Sequence, residues 1–281
     1  MKEGKIKYEL GINPSYFMRV PKNDRKRDIY ECIDLVNKAG FKCVDLSAEK
    51  LGGADAFELR EFLEKRGMRA NQTHCPFNRY ENDNYESFAS RVMKSAENSY
   101  NVGAKIFVVH GDEYDFSKEW TTEKAMQFNY DFFAPAVEYC EKHGMKVAFE
   151  NVFEDMPNKP RLGSKISDLT TLVDKFGSEN VGICWDIGHG KVAGGNNHLE
   201  MLEEAGKRVI STHVHDNCHG KDLHQYPFLG DCDWSETMAT FKKIGYSGEF
   251  TFEFVYGNLP DVLVEDYLAI FYKTGKYLVE M

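Results

Sequence analysis

The chain has 281 residues, enough for one barrel of alternating strands and helices, usually about 250 residues, or for two average domains. Its 42% hydrophobic content supports a sizeable core, no stretch is apolar over the roughly 20 residues of a membrane span, and a net charge of −10 disfavours a nucleic-acid partner. Residues 1–10 lack the apolar core of a secretory signal, and the seven cysteines are scattered, so we expect reduced thiols and a cytoplasmic protein.

Eight short β-rich segments follow one another along the chain, each succeeded by an amphipathic segment. The predicted strands are 6–12, 43–47, 69–74, 105–110, 146–151, 181–186, 209–216 and 249–254. The predicted helices are 28–38, 56–65, 85–98, 123–142, 167–175, 198–207, 234–243 and 261–278. This alternation needs crossover connections and therefore a parallel sheet. The sequence predicts a single (β/α)8 TIM barrel over residues 1–281, although a doubly wound open sheet would give the same local pattern.

Residues that are typical of helix ends support these boundaries. Five predicted helices end next to a glycine that suits a left-handed cap, namely Gly40, Gly67, Gly103, Gly144 and Gly177. Asp233, followed by Glu236, is typical of a capping box at the start of the seventh helix. The long connections follow strands one, three, four, five and seven, and in a barrel the loops after strands form the active face. We therefore expect the functional site at the C-terminal ends of the strands.

Histidines and carboxylates gather at those strand ends. The histidines are His74, His110, His213 and His215 at the ends themselves, with His189 and His224 in the loops that follow. The carboxylates are Asp45, Glu150, Asp186, Asp216 and Glu253. A charged group that ends an apolar strand is expensive to desolvate unless it is paired or bound to a metal. The set Glu150, Asp186, His213 and Glu253 therefore predicts a divalent metal site suited to Mn, Mg, Co or Zn.

Four motifs, taken in order, carry a resemblance to a known superfamily. They are Phe149-Glu150-Asn151, Cys184-Trp185-Asp186-Ile187-Gly188-His189, Thr212-His213-Val214-His215-Asp216-Asn217 and Thr251-Phe252-Glu253. Together they resemble the strand-end motifs of the xylose isomerase-like barrels, which include sugar phosphate isomerases, ketose epimerases, inositol-catabolism enzymes and endonuclease IV. Members place an acidic residue three positions after the ligand histidine, so the position of Asp216 favours His213 over His215 as the ligand.

The resemblance implies a divalent-metal-dependent isomerase or epimerase that acts on a sugar, sugar phosphate or cyclitol by proton transfer next to a metal-chelated carbonyl. Glu150 and Glu253 match the two ligand glutamates that also serve as acid and base. His189 matches a position that contacts substrate oxygens, and His215 and Trp234 are further candidate substrate-binding residues. One departure is that residues 227–229 lack the family's first glycine, so we expect a different substrate loop.

Endonuclease IV gives a second interpretation, an abasic-site DNA nuclease that uses multiple zinc ions. Five residues match its additional metal ligands, namely His74, His110, His189, Asp222 and His224. The negative net charge and segment 109–112, which lacks the nuclease's His-Pro-Gly sequence, weigh against this activity. A third interpretation is a non-catalytic barrel that binds a sugar or a metal.

A basic run follows the first predicted strand and comprises Arg19, Lys22, Arg25, Lys26 and Arg27. Such a run is either a solvated face or a clamp for a substrate phosphate or carboxylate. We expect a small carbohydrate substrate and no membrane partner, and the sequence leaves a homo-oligomer open.

Overall fold

A computed structural model describes residues 8–18, 26–111, 120–154, 160–254 and 259–281. The strands are β1 (Leu10–Ile12), β2 (Cys43–Ser47), β3 (Arg69–His74), β4 (Ile106–Val109), β5 (Lys146–Glu150), β6 (Val181–Asp186), β7 (Val209–His213), β8 (Asp216–Cys218), β9 (Lys221–Gln225) and β10 (Phe250–Phe252). The helices are α1 (Ile29–Ala39), α2 (Ala56–Glu64), α3 (Tyr85–Asn101), α4 (Thr122–Lys142), α5 (Ile166–Phe176), α6 (Ile187–Gly194), α7 (His198–Ala205), α8 (Trp234–Ile244) and α9 (Val264–Glu280).

Eight of these strands form one parallel sheet in the order β10-β1-β2-β3-β4-β5-β6-β7. The first and last strands of the chain pair in parallel, with Leu10 opposite Phe250. A bridge between Val214 and Phe252, with a hydrogen bond of 2.8 Å from Val214 N to Thr251 O, joins the two ends of the sheet. The predicted (β/α)8 barrel is confirmed, and the open doubly wound sheet is excluded.

Helix ends follow the predicted local chemistry. Each of the five predicted glycines has a positive φ, for example 117° at Gly40 behind α1. Asp233 accepts a hydrogen bond of 3.0 Å from Glu236 N and so caps the first turn of α8. A helix begins at Ile29 because Asp28 and Glu31 form a reciprocal capping box.

Side-chain alternation along the strands decides which residues face the barrel axis. The main core packs the helices against the outside of the barrel, and a separate small cluster comprises Ile106, Val108, Ala148 and Cys184. These four residues share strand parity with His110, Glu150 and Asp186, which lie two positions further along their strands or strand ends. The inner apolar cluster therefore lies beneath the polar strand ends and supports them.

Three local features differ from the prediction. The segment 209–216 is not one strand, because β7 ends at His213 and Asp216 begins an antiparallel β8–β9 hairpin. The unpredicted helix α6 follows β6 directly. The described part of the first strand is Leu10–Ile12, whereas residues 6 and 7 lie outside the described residues. No helix in the described ranges is both long and apolar enough to cross a membrane.

Candidate metal centre

Glu150, Asp186, His213 and Glu253 converge at the C-terminal end of the barrel. Each offers one ligand atom, and these atoms all lie within 4.8 Å of one another. His213 Nδ1 lies 3.1 Å from Glu150 Oε2, 3.4 Å from Glu253 Oε2 and 3.9 Å from Asp186 Oδ2. This nitrogen is buried and has no hydrogen-bond partner. An orphaned imidazole nitrogen that faces three carboxylates suits a divalent cation.

A hydrogen bond to a buried carboxylate fixes the other ring nitrogen of His213, Nε2. His213 Nε2 donates a hydrogen bond of 3.0 Å to Asp45 Oδ2, and both side chains are fully buried. Gln72 Nε2 also donates to Asp45 Oδ2, at 3.3 Å, and Ser211 donates to Gln72 Oε1 at 2.5 Å. With Nε2–H held by Asp45, Nδ1 faces the three carboxylates, where it would bind a cation. Asp45 therefore sets both the tautomer and the orientation of His213.

Glu150 connects this group to a second one. Its Oε2 accepts hydrogen bonds from His74 Nε2 at 3.2 Å and from His110 Nε2 at 3.1 Å, so His74, His110 and Glu150 form another set able to hold a metal. Its Oε1 lies 3.2 Å from His189 Nδ1. One glutamate thus contacts histidines on several sides, so it could contribute to more than one metal site.

A third set comprises His189, His215, Asp222 and His224. The β8–β9 hairpin brings Asp222 and His224 over the site, and Asn217 Oδ1 accepts hydrogen bonds from Leu223 N at 2.6 Å and His224 N at 3.2 Å. Asp222 Oδ2 lies 3.2 Å from His224 Nε2 and 3.8 Å from His189 Nε2. The structure thus brings together all the residues that were predicted as additional ligands.

Three of these histidines are oriented by the same kind of hydrogen bond. His74, His189 and His224 each donate Nδ1–H to a backbone carbonyl, of Cys75 at 2.8 Å, Asn151 at 3.0 Å and Glu253 at 3.1 Å respectively. Each then turns Nε2 toward a carboxylate of the site. Backbone anchoring of one ring nitrogen is typical of metal-binding histidines.

Opposite charges shift the pKa values across the site. Burial lowers the pKa of His189, but Asp186 and Glu150 outweigh burial and raise that pKa to about 10. Burial likewise opposes protonation of His224, yet Asp222 raises its pKa to about 9. Burial would raise the pKa of Glu150, but His213 and His110 hold it well below its usual range. The metal-free site is therefore rich in protons that a cation would displace.

The polypeptide around Asp186 is fixed by a reciprocal clamp. Asn151 Oδ1 accepts a hydrogen bond of 2.7 Å from Asp186 N, and Asn151 Nδ2 donates one of 3.0 Å to Asp186 O. Asp186 Oδ1 also accepts a hydrogen bond of 2.6 Å from His189 N and caps α6. A Cβ atom on Gly188 would stand 1.9 Å from His215 Cε1, so only glycine lets α6 approach the site this closely.

Two aromatic residues lie next to these groups, and of the two Tyr16 was not singled out from the sequence. Tyr16 donates a hydrogen bond of 3.0 Å to Glu253 Oε1, and burial followed by the Glu253 charge raises the pKa of this phenol. Phe77 lies at the entrance with its ring stacked on His110 at a centroid distance of 4.8 Å, and it is 55% exposed. Tyr16 thus orients the Glu253 carboxylate, and Phe77 exposes an apolar ring next to His110.

Some predicted residues take positions away from the entrance. Trp234 is 3% exposed and donates Nε1–H to Asp216 Oδ2 at 2.9 Å, so it anchors the loop before α8. His215 is fully buried, and its Nε2 lies 3.0 Å from both oxygens of Asp186. Arg27 of the basic run is buried, donates to Phe17 O and pairs with Asp261. Arg19, Lys22 and Arg25 lie outside the described residues.

Comparison with known proteins agrees with this geometry. The profile of the xylose isomerase-like TIM barrels matches residues 33–271. This chain belongs to that family. An uncharacterized protein of Methanocaldococcus jannaschii is 30% identical over 191 residues, which are 64% of this chain and only 62% of that protein. An uncharacterized protein of Sinorhizobium fredii is 23% identical over 266 residues, covering 83% of this chain and 84% of its own length.

Several solved structures share the fold. The IolI protein with a bound zinc atom aligns with a TM-score of 0.78 at 17% identity and covers 96% of this chain and 97% of its own. A D-tagatose 3-epimerase-like protein aligns with a TM-score of 0.75 at 20% identity over 97% of this chain and 98% of its own. The 3-keto-D-glucoside 4-epimerase YcjR of E. coli aligns with a TM-score of 0.72 at 16% identity, covering 95% of this chain and 100% of its own. At these identities the likeness establishes the fold.

Proposed function

We propose that the protein is a divalent-metal-dependent isomerase or epimerase of a sugar, sugar phosphate or cyclitol. The observation that carries the proposal is the buried Nδ1 of His213, which has no hydrogen-bond partner and faces Glu150, Asp186 and Glu253. The epimerases and the zinc-bound IolI protein among the structural neighbours support the substrate class and the need for a metal. A cytoplasmic location stays a prediction from the sequence.

In this proposal the four side chains would hold the cation, which would be Mn, Mg, Co or Zn. Two of them, Glu150 and Glu253, would also transfer protons. A bound divalent ion would polarise a substrate carbonyl and make the adjacent carbon-bound proton more acidic. Glu150 and Glu253 both have lowered pKa values, because the neighbouring histidines outweigh burial, so both are ionised and able to accept a proton. One carboxylate accepts the carbon-bound proton, and the other takes up a proton from solvent and donates it to the substrate.

The remaining residues bind and orient the substrate. Tyr16 holds Glu253 Oε1 by its hydroxyl and so fixes the direction in which that carboxylate faces. His189 lies beside Glu150 and Asp186 and suits contact with substrate oxygens. Phe77 and Phe153 lie beside His110 and His189 respectively, and form apolar walls that keep water from the reacting carbon.

A screen in heavy water tests the proposal. The metal-loaded protein is incubated with ketoses, sugar phosphates and cyclitol ketones in D2O, and deuterium in the product is measured by mass spectrometry. We expect deuterium at the reacting carbon, together with a 10²- to 10⁴-fold loss of turnover, roughly, in Glu150→Gln and Glu253→Gln. Metal content in the same samples should fall far less than turnover. Retained turnover in both variants would refute the acid and base roles.

A second candidate is an abasic-site DNA nuclease with several zinc ions. It is favoured by one specific observation, namely three neighbouring ligand sets, of which two share Glu150 and the third comprises His189, His215, Asp222 and His224. The same sets would also allow additional zinc in a sugar enzyme. Cleavage of a duplex with one abasic site, lost in Glu150→Gln and accompanied by no sugar turnover, would establish the nuclease instead. A protein that binds zinc but does neither would be the non-catalytic barrel.

A further inference from the structure

The outer face of α9 carries an apolar stripe that the fold leaves uncovered. Of the thirteen large hydrophobic residues exposed in the described part of the chain, seven lie in α9, next to its ends or in the loop before α8. They are Phe228, Leu229, Val262, Leu263, Ile270, Tyr277 and Met281. Leu263, Ile270 and Tyr277 are spaced by seven residues, so they lie along one side of the helix. Concentration of exposed apolar area in one place indicates an interaction surface.

The loop before α8 extends this stripe. Phe228 lies 6.1 Å from the Tyr277 ring and is 48% exposed. Its φ of 73° is a left-handed conformation that disfavours a bulky side chain. Tyr226 in the same loop is anchored to Thr274 of α9 by a hydroxyl contact. The left-handed backbone of Phe228 thus costs free energy, and its half-exposed ring recovers little of that cost by burial within one copy of the chain.

Charge along the stripe is arranged for a second copy of the same helix. Asp266 and Lys273 are exposed and flank Ile270, four residues before it and three residues after it. Within the described ranges neither forms an ion pair, whereas the nearby Glu265 pairs with Lys38 at 2.5 Å and Lys276 pairs with Glu280 at 3.4 Å. Asp266 in the N-terminal half of α9 and Lys273 in its C-terminal half are therefore both available to form ion pairs with a partner.

We propose that the protein forms a two-fold symmetric dimer through antiparallel packing of α9, with Ile270 at the axis. Leu263 and Tyr277 each lie seven residues, or about 10 Å, from that axis, so Leu263 of one copy meets Tyr277 and Phe228 of the other. The same symmetry places Asp266 of one copy next to Lys273 of the other, twice per dimer. The patch is self-complementary, as an interface between identical copies requires.

This dimer would also affect the candidate metal centre. Phe228 N donates a hydrogen bond of 2.9 Å to Asp216 Oδ2, and the loop that contains it continues from the hairpin that carries Asp222 and His224. A partner helix that covers Phe228 therefore stabilises the loop next to these ligands. The proposal itself does not depend on which reaction the site performs.

Sedimentation velocity over a range of about 1 to 100 µM tests the dimer. We expect a dimer for the wild-type protein and a self-association weakened about 10³-fold in Ile270→Asp, because each copy loses a central contact. Phe57→Asp on α2 is the matched control, since Phe57 is 59% and Ile270 56% exposed, and this variant should remain dimeric. A monomeric wild-type protein, or a dimeric Ile270→Asp variant, would overturn the proposal.

Charge reversal tests the antiparallel register independently. Asp266→Lys alone and Lys273→Asp alone should each weaken the dimer, because each places like charges together across the axis. The double variant should restore the wild-type association constant to within about threefold. All variants lie on the surface, and unchanged thermal midpoints at monomer concentration would verify their folding. Failure of the double variant to recover would refute the proposed pairing of the two helices.

Discussion

Replacement of Asp45 by Asn isolates the contribution of a residue that would not touch the metal. Asp45 Oδ2 accepts the hydrogen bond of 3.0 Å from His213 Nε2, and both residues are fully buried. Asparagine keeps an acceptor oxygen of similar size, so the histidine can stay in place while the negative charge behind it is lost. Loss of such a carboxylate partner lowers metal affinity about 10- to 100-fold, which corresponds to about 1.4–2.7 kcal/mol of binding free energy.

The assay is a competition titration of the metal-free protein with Zn and Mn against a chromophoric chelator. Asp216→Asn is the matched control, because Asp216 is also a fully buried strand-end carboxylate but accepts its hydrogen bonds from Asn217, Phe228, Cys232 and Trp234. The control should lower the thermal midpoint and leave metal affinity at the four-residue group within about threefold. An Asp45→Asn protein with wild-type affinity would refute the orienting role of Asp45.

Three further outcomes are expected. Metal affinity should rise with pH between about 6 and 9, because His189 and His224, with pKa values of about 10 and 9, must release protons when a cation binds. Calorimetry in buffers of different ionisation enthalpy should detect this proton release. A metal affinity that does not change with pH would contradict the assignment of these two histidines to the metal centre. Gly188→Ala should lower the free energy of unfolding by about 1–3 kcal/mol in denaturant titrations, because its Cβ would stand 1.9 Å from His215 Cε1. Gly194→Ala should cost less, because Gly194 has a φ of −96° and the nearest atom to its Cβ would be Sδ of the flexible Met201 side chain. Tyr16→Phe should reduce kcat about 10- to 100-fold with metal content retained, since it removes a hydrogen bond to the charged Glu253, and wild-type kcat would show that this bond is dispensable.

The same histidines make the metal-free protein sensitive to alkaline pH. The folded pKa of His189, about 10, lies above the value of about 6.5 in an unfolded chain. Its contribution to stability is therefore complete below pH 6.5 or so and is lost as the pH rises through about 10. Thermal midpoints of the metal-free protein should fall in this alkaline range.

The barrel was predictable because its signals are local. Several strands end where apolar residues give way to a charged one, as at Phe149-Glu150 and Phe252-Glu253, and the five predicted glycines behind helices all have a positive φ. Parallel strands bring their C-terminal ends to one edge, so alternation alone predicts that these charged residues converge. The family resemblance then favoured His213 over His215 as the ligand histidine.

The residues that orient the ligands could not be assigned in the same way. Asp45 contacts His213 across 168 residues and Tyr16 contacts Glu253 across 237, so no spacing in the sequence connects them. Helix α6 contains three glycines, which have poor helix propensity, and it forms because Asp186 caps it and Gly188 fits against His215. The β8–β9 hairpin is largely polar and sits above the barrel, so it lacks the apolar alternation that reveals a core strand.

An anomalous difference map from crystals grown with Zn or Mn would locate a bound cation. We expect a peak bound by carboxylate oxygens of Glu150, Asp186 and Glu253 and by Nδ1 of His213, at about 2.0–2.2 Å for zinc. Weaker peaks beside His74 and His110, or between Asp222 and His224, would add the further ions. The absence of a peak among the four residues at saturating metal, or a metal on the Nε2 side of His213, would refute the proposed metal site.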